Sequence, residues 1–245
     1  MDRKLKLEVA YDGSRFSGWQ RQSSARSVQE TLEEALKKLT GKRTRVIGAG
    51  RTDSGVHAQQ QVAHVTLSEK LPPRILLRAL NAILPEDVAV LSVKKAPLDF
   101  HAIASAKKKH YRYTIWNKPI RPVFDRDNLL HVPGKLNLTA MRKTAQLLKG
   151  KHDFRAFHSS GRPISSTVRT LSTLTVRSKN GLIRIDAQAD GFLYHMVRRI
   201  VGLLLETGRG KLPASSARDL LKGNSRFIAP TAPAKGLCLI KVFYS

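Results

Sequence analysis

The chain has 245 residues, of which 44 are Lys or Arg and 18 are Asp or Glu, so its formal net charge is +26 and its pI is near 10.8. The single cysteine, Cys238, excludes an intrachain disulfide and a cysteine-rich zinc site. The sequence contains no run of about 18 apolar residues, which excludes a transmembrane helix.

The first half of the chain has the pattern of a β-α-β-β-α-β unit, the ferredoxin-like order. Its first strand is indicated by Leu5, Leu7 and Val9, which alternate with charged residues. Ser27 and Glu30 have the spacing of a capping box, which predicts a helix start. The other predicted features are the apolar face of that helix (Val28, Leu32, Ala35, Leu36, Leu39), strands at Arg45–Ile47 and Val62–Leu67, a helix that starts at Pro72 and Pro73 and has an apolar stripe (Ile75, Leu76, Ala79, Leu80, Ile83), and a strand at Val88–Val93.

The second half predicts the same order of elements, without a repeat at the level of residues. The predicted elements are a strand at His110–Trp116 with Tyr111, Tyr113 and Ile115 on one face, a helix over Met141–Leu148 that ends at Gly150, strands at Thr170–Val176 and Leu182–Ala189, a helix over Leu193–Glu206 stopped by Gly208, and a strand at Leu237–Tyr244. Lys179-Asn180-Gly181 predicts the turn of a β-hairpin.

These elements predict an α/β fold of the α+β type, with mostly antiparallel sheets in two domains, residues 1–104 and 105–245. Three polar segments without periodicity are expected to be surface loops: Ser17–Arg26, Asn117–Asp127 and Ser159–Thr167.

The excess of positive charge indicates a polyanionic partner. Such a field attracts phosphate chains, and neutralisation of phosphates by Lys and Arg makes the binding depend on salt. A basic protein of membrane surfaces and a merely soluble basic protein are the alternatives. Because the strand pattern at Leu5–Val9 begins almost at once, we expect no signal or transit peptide and a cytoplasmic location.

The segment Gly48–Ala58 carries the most informative chemistry. Asp53 is its only carboxylate and lies between two glycines, with Arg51 two residues before it and His57 four residues after it. Glycines allow tight turns and a close approach of a ligand to the main chain. A carboxylate displayed on such a loop beside a guanidinium suits an ionised nucleophile.

Several other chemistries do not fit this segment. Val56 and His57 stand where a P-loop has Lys and Ser or Thr, and Asp53 stands where a dinucleotide fingerprint has its third glycine. One cysteine cannot complete the zinc site of a nucleobase deaminase. Glycosidases use two carboxylates, and the loop has one, although another can come from elsewhere in the fold. What remains is attack by one carboxylate on a ring or sugar carbon, and for an RNA-binding protein the natural electrophile is a nucleoside.

Each candidate residue also has a structural interpretation. Asp53 alone fits a local turn, and His57 and Tyr111 alone fit packed or hydrogen-bonded residues. Arg198 fits the edge of a helix, although its apolar surroundings would require a partner for the charge. Arg51 suits either the Asp53 carboxylate or a phosphate bound through two hydrogen bonds.

The sequence resembles the TruA family of tRNA pseudouridine synthases over almost its whole length. The resembling segments follow in order: Tyr11-Asp-Gly, Phe16-Ser-Gly-Trp-Gln, Ser27-Val-Gln-Glu, Gly48–Ala58, His110-Tyr-Arg-Tyr, His152-Asp-Phe-Arg-Ala-Phe, Asp190–Gly202 and Thr231–Leu237.

This resemblance implies conversion of uridine to pseudouridine at positions 38 to 40 of the tRNA anticodon arm, by a homodimer that needs no cofactor or metal. It also implies two ferredoxin-like halves about a basic cleft. Asp53 matches the nucleophile, Tyr111 the tyrosine that packs on the target base and takes part in proton transfer, and Arg198 the arginine that pairs with the catalytic aspartate. Arg51 matches an arginine that opens the RNA and holds the flipped base. We also count His57 among the substrate-binding candidates.

Two segments, Asn117–Lys135 and Ser159–Ser166, match the family less well. The second lies near expected substrate-contacting loops, so the choice among positions 38, 39 and 40 stays open. The alternative function is a tRNA-binding protein or RNA chaperone with the same fold and no catalysis.

Overall fold

The computed structural model describes residues 2–68, 71–159, 164–224 and 227–244. Contacts divide the chain into two units. The first unit contains the residues up to Lys107 and those from Cys238 onward, and the second unit is Lys108–Leu237.

The first unit has the predicted order of strands and helices. Its elements are β1 (Arg3–Tyr11), α1 (Val28–Thr40), β2 (Ile47–Gly48), β3 (His57–Leu67), α2 (Pro73–Ile83) and β4 (Val88–Ala96). Strand β1 lies between β3 and β4 and is antiparallel to both, while β2 pairs with β3. The β-α-β-β-α-β prediction is therefore confirmed for this unit.

Local sequence signals explain the helices of the first unit. The Ser27 hydroxyl accepts a hydrogen bond from the Glu30 backbone N–H at 3.3 Å, as the capping motif predicts. Leu76 and Leu80 of α2 are fully buried. Ile75, predicted as part of the same apolar stripe, is 46% exposed, so the buried face of α2 is narrower than expected.

The second unit is also a sheet with helices. Its elements are β5 (Lys108–Trp116), β6 (Leu130–His131), α3 (Leu138–Leu148), β7 (Gly150–Asp153), β8 (Val168–Lys179), β9 (Leu182–Ala189), α4 (Met196–Gly208) and α5 (Ser216–Leu221). The antiparallel order is β5-β9-β8-β7, and β6 runs parallel to β5. Strands β6 and β7 and helix α5 were not predicted.

The predicted hairpin between β8 and β9 is confirmed. Asn180 and Gly181 have φ values of 53° and 81°, the positive values that a type I′ turn requires at both central residues. The predicted inward face of β5 is also confirmed, because Tyr111, Tyr113 and Ile115 are all buried.

Helix α4 begins at Met196, three residues later than predicted. His195 has a φ of 63°, in the left-handed region, and this conformation cannot continue a right-handed helix. The apolar run from Leu193 suggested an earlier start because periodicity does not reveal such a break. The helix ends at Gly208, as expected.

The last strand, β10 (Leu237–Phe243), corrects the expected division into residues 1–104 and 105–245. Cys238 and Leu239 pair in parallel with His57 and Ala58 of β3, so the chain from Cys238 onward groups with the first unit. The second unit therefore does not contain the final strand that the repeated order predicted.

The predicted loops Ser17–Arg26 and Asn117–Asp127 contain no helix or strand. Of the predicted loop Ser159–Thr167, residues 160–163 lie outside the described residues. Within the described ranges, every helix is too short or too polar to cross a bilayer.

Candidate active site

The loop between β2 and β3 displays Asp53. At the start of the loop, the Ala49 N–H donates to the Val62 carbonyl at 2.7 Å. At its other end, the Val56 N–H donates to the Asp53 carbonyl at 3.2 Å, which closes a turn around the acidic residue. The Asp53 residue is half-buried. Its backbone is thus fixed, while part of its surface stays accessible.

A second segment of the first unit braces this loop. The Trp19 N–H donates to the Thr52 carbonyl at 3.0 Å, and the Gly55 N–H donates to the Phe16 carbonyl at 3.2 Å. Gly18 has a φ of 99°, and a Cβ at this position would lie 2.5 Å from the Thr52 carbonyl oxygen. Only glycine fits this close approach, which gives a physical reason for the Phe16-Ser-Gly-Trp-Gln motif.

A buried hydroxyl pair anchors the residue next to Asp53. The Tyr11 and Thr52 hydroxyl oxygens are 2.9 Å apart. Burial raises the pKa of Tyr11 far above its ordinary value, so its phenol stays neutral. This pair holds the loop onto the end of β1.

Arg51 is exposed at the rim of the same loop. Its Nε donates to Gln20 Oε1 at 2.9 Å, and the Gln20 amide in turn donates to Gln29 Oε1 at 2.9 Å. In the described part of the chain, no ion pair joins Arg51 to Asp53. Of the two sequence-based roles for Arg51, this arrangement favours contact with phosphate.

His57 is the first residue of β3 and does not lie in the loop. It is 6% exposed, and its Nδ1 accepts a hydrogen bond from the Gly13 N–H at 3.1 Å. This contact fastens the turn after β1 to the start of β3. The position favours a structural role for His57 over contact with RNA.

In the second unit, Tyr111 lies on the buried face of β5, opposite Ala187 of β9. It is 7% exposed. The Phe192 ring packs edge-on against the Tyr111 ring, with the centroids 5.2 Å apart and an interplanar angle of 87°. The ring orientation of Tyr111 is thus set by its neighbours.

Arg198 lies in the first turn of α4. Its Nε donates to the Ala232 carbonyl at 2.8 Å, while its own carbonyl accepts from the Ala232 N–H at 3.1 Å. The next residue, Pro233, accepts a hydrogen bond from the Tyr113 hydroxyl at 2.8 Å. The Thr231–Leu237 motif therefore braces the guanidinium of Arg198 in the second unit.

A buried polar cluster of the second unit was not predicted. His110 Nε2 and Arg112 Nε lie 2.7 and 2.9 Å from Asp186 Oδ1. Burial opposes ionisation of Asp186, but the hydrogen bonds from His110 and Arg112 outweigh it and lower the pKa of the carboxyl. An acid within the apolar pattern of a strand was the available signal, but its partners depend on the pairing of β5 with β9.

The structure thus brings Arg51, Asp53 and the start of β3 together in the first unit, and it fixes Tyr111 and Arg198 separately within the second. Among the described residues, no group of three or more His, Cys, Asp or Glu side chains could hold a metal ion.

Comparison with known proteins gives the family. A family model described as tRNA pseudouridine synthase matches residues 8–103 and 144–245, ranges that include Asp53 and Arg198 but not Tyr111. The tRNA pseudouridine synthase A of Thermoanaerobacter sp. (strain X514) is 44% identical over 243 residues, 99% of this chain and 100% of that protein. The proteins of the same name from Moorella thermoacetica and Acetivibrio thermocellus are 44% and 41% identical over 243 residues each, covering 98% and 99% of this chain and 99% and 100% of their own lengths.

Proposed function

This chain belongs to the tRNA pseudouridine synthase family, and from that premise we propose that it isomerises uridine at positions 38, 39 and/or 40 of the tRNA anticodon stem-loop. The net charge of +26 supports an RNA substrate, because phosphate neutralisation supplies much of the affinity for nucleic acid.

The observation that carries the proposal is the loop that presents Asp53. Its backbone is hydrogen-bonded to two separate segments, to β3 through Val62 and to the Phe16-Ser-Gly-Trp-Gln motif through Phe16 and Trp19, and the acid remains partly accessible. A flexible surface turn would need none of these ties. Such fixed placement is what a nucleophile requires, because misplacement by about 1 Å reduces the rate greatly.

We assign Asp53 the role of nucleophile. The target uridine first leaves the base stack, at a cost of a few kcal/mol, and Arg51 binds the RNA backbone at this stage. The ionised Asp53 carboxylate then attacks the ribose C1′ or the uracil C6, and the bond from N1 to C1′ breaks. After the uracil has turned, its C5 bonds to C1′ and the carboxylate is released.

The remaining step is a proton transfer. The proton on C5 leaves and N1 of the product carries a proton, so reactant and product are isomers and the atoms balance without a redox partner. We assign the transfer from C5 to the Tyr111 hydroxyl or to a water. Because Tyr111 is 7% exposed, its contact with the base is restricted to the accessible part of the ring.

We assign Arg198 the role that the resemblance implies, that of the arginine that pairs with the catalytic aspartate. A guanidinium beside a carboxylate stabilises the negative charge. The bonds of Arg198 with Ala232 support this role, since they fix the side chain in one orientation.

The deciding experiment is tritium release from tRNA labelled at C5 of uridine, followed by chemical mapping of the modified positions. We expect release with the purified protein and modification at positions 38 to 40. Binding of tRNA without release would instead favour the RNA-binding alternative. Release with modification at other positions would keep the enzyme class and change the substrate site.

We also propose that the protein is a homodimer, as the family resemblance implies. Light scattering would then give about twice the chain mass of 27.3 kDa. A single-chain mass at working concentration would contradict this.

A further inference from the structure

Lys109 lies on the same face of β5 as Tyr111, two residues earlier. It pairs with Ala189 of β9, and Ala189 in turn pairs with Leu171 of β8. Because residues two apart on a strand share a face, Lys109 is the neighbour of Tyr111 on that face, at the N-terminal end of β5.

Lys109 is half-buried. Within the described ranges, no hydrogen bond or ion pair engages its Nζ. Burial lowers the pKa of Lys109, and the nearby charge of Arg169 lowers it further. A partly buried cation beside a second cation is unfavourable in the protein alone.

Arg169 is held in place beside this lysine. Its Nη1 donates to the carbonyls of Ser166 and Val168 at 2.9 and 2.6 Å. Its Nε lies beside Gly191, where a Cβ would be 3.3 Å away. Gly191 precedes Phe192, whose ring packs on Tyr111, so the guanidinium lies next to the segment that orients the proposed base-binding tyrosine.

The acid that follows Ala189, the β9 partner of Lys109, does not neutralise this pair. Both Asp190 carboxylate oxygens accept from the Thr170 backbone N–H, at 3.0 and 3.1 Å. In the part of the chain that the structure describes, Asp190 forms no ion pair with Lys109 or Arg169. Among the residues that the structure describes, neither Lys109 nor Arg169 has an acidic partner.

We infer that Lys109 and Arg169 form a binding site for an RNA phosphodiester beside the target uridine. The inference rests on the proposed function, since it deepens the substrate recognition of the same unit. Arg169 supplies a fixed guanidinium and Lys109 a second charge, and together they favour an anion at this end of β5. The proposed ligand is the RNA backbone and not a free phosphate. A free phosphate would lack the contacts that the neighbouring nucleotides of an RNA make with the protein.

The test compares Lys109→Ala, Lys109→Arg and Arg169→Ala with a control that removes the same charge elsewhere. Lys179 is exposed at the opposite end of this sheet, where it pairs with Leu182 near the hairpin turn, and Lys179→Ala serves as that control. Thermal unfolding of each variant checks the fold. Tritium release gives KM and kcat at several salt concentrations.

We expect Lys109→Ala and Arg169→Ala each to raise KM for tRNA about tenfold with a smaller change in kcat. The slope of log affinity against log salt should fall in magnitude by about 0.7 to 0.9 for each lost phosphate contact. Lys109→Arg should restore most of the affinity, and Lys179→Ala should change KM less than twofold. Inorganic phosphate at millimolar concentration should compete weakly, whereas a short RNA should compete well.

If Lys109→Ala matches Lys179→Ala in KM and in salt slope while the parent protein is active, the phosphate site is wrong and the proposed function stands. If the parent protein binds tRNA without releasing tritium, the proposed isomerase function is wrong, and the salt slope of binding still tests the site. Strong competition by inorganic phosphate alone would overturn the assignment to the RNA backbone.

Discussion

Arg198 and Ala232 hold each other through two hydrogen bonds, one from the Arg198 side chain to the Ala232 carbonyl at 2.8 Å and one from the Ala232 N–H to the Arg198 carbonyl at 3.1 Å. Helix α4 and the Thr231–Leu237 motif are therefore joined at the residue to which we assign the charge that supports the nucleophile.

Two replacements of Arg198 distinguish the effect of its charge from the effect of its fixed orientation. Arg198→Met should lower kcat by about 100-fold or more, because the half-buried Asp53 carboxylate would lose the cation that we assign to it. Arg198→Lys keeps the charge but loses the fixed orientation and should give an intermediate kcat. Arg142→Met is the control, since Arg142 Nε also bonds a backbone carbonyl, that of Val176 at 3.1 Å. A similar loss of kcat in the control would indicate a general effect on folding.

Asp53→Ala should abolish isomerisation, with kcat reduced about a thousandfold or more, while the Kd for tRNA changes little. In the proposed mechanism the carboxylate forms the covalent bond, whereas phosphate contacts supply most of the affinity. Single-turnover tritium release and filter binding measure the two quantities. Turnover near the parental rate would remove Asp53 from the reaction.

Tyr111→Phe should keep the packing against Phe192 but lose the hydroxyl. If the hydroxyl takes the proton from C5, kcat should fall about 100-fold or more with little change in thermal stability. Tyr111→Leu should reduce tRNA binding as well, because it removes the aromatic ring. Normal turnover of Tyr111→Phe would leave only the packing role.

Gly18→Ala should destabilise the protein and lower its activity. The new Cβ would meet the Thr52 carbonyl at 2.5 Å, and the φ of 99° disfavours any residue with a Cβ. Gly41→Ala is the matched control, since Gly41 has a φ of 72° but no atom within 4 Å of the added Cβ. We expect a loss of about 1 kcal/mol in urea unfolding for Gly41→Ala and a clearly larger loss for Gly18→Ala. Equal losses would show that the contact with Thr52 is unimportant.

The free energy of unfolding should fall at low pH, because protonation of Asp186 removes its stabilising contacts. Its pKa is lowered in the folded protein, so its contribution is present above the unfolded pKa and is lost as the pH falls below about 4, through the folded pKa. Asp186→Asn should therefore be less stable than the parent at pH 7, by about 1–3 kcal/mol, and should show a weaker dependence on pH between 5 and 3. Urea unfolding at several pH values measures both, and parallel pH profiles for parent and variant would contradict the prediction.

Local signals in the sequence predicted much of the fold. The Ser27 cap, the hairpin at Asn180 and Gly181 and the inward face of β5 depend on neighbours close in the chain, so a pattern can reveal them. The predicted start of α4 was wrong because hydrophobic periodicity does not reveal the left-handed conformation of His195.

Features that depend on distant pairing were not predictable in the same way. Cys238 pairs with His57, and Asp186 pairs with Arg112, because of the register of their strands. Local sequence patterns do not determine that register. For the site, the loop around Asp53 was recognisable from its residues, but the bracing by Phe16 and Trp19 required the fold.

The parallel pairing of Cys238 and Leu239 with β3 also has a consequence for biosynthesis. The ribosome makes these residues only after Lys108–Leu237, so the sheet that bears the Asp53 loop lacks one of its strands while the second unit is being synthesised. The nascent protein can thus complete its second unit before its first, because the unit that carries Asp53 gains this strand only after Cys238 and Leu239 have been synthesised.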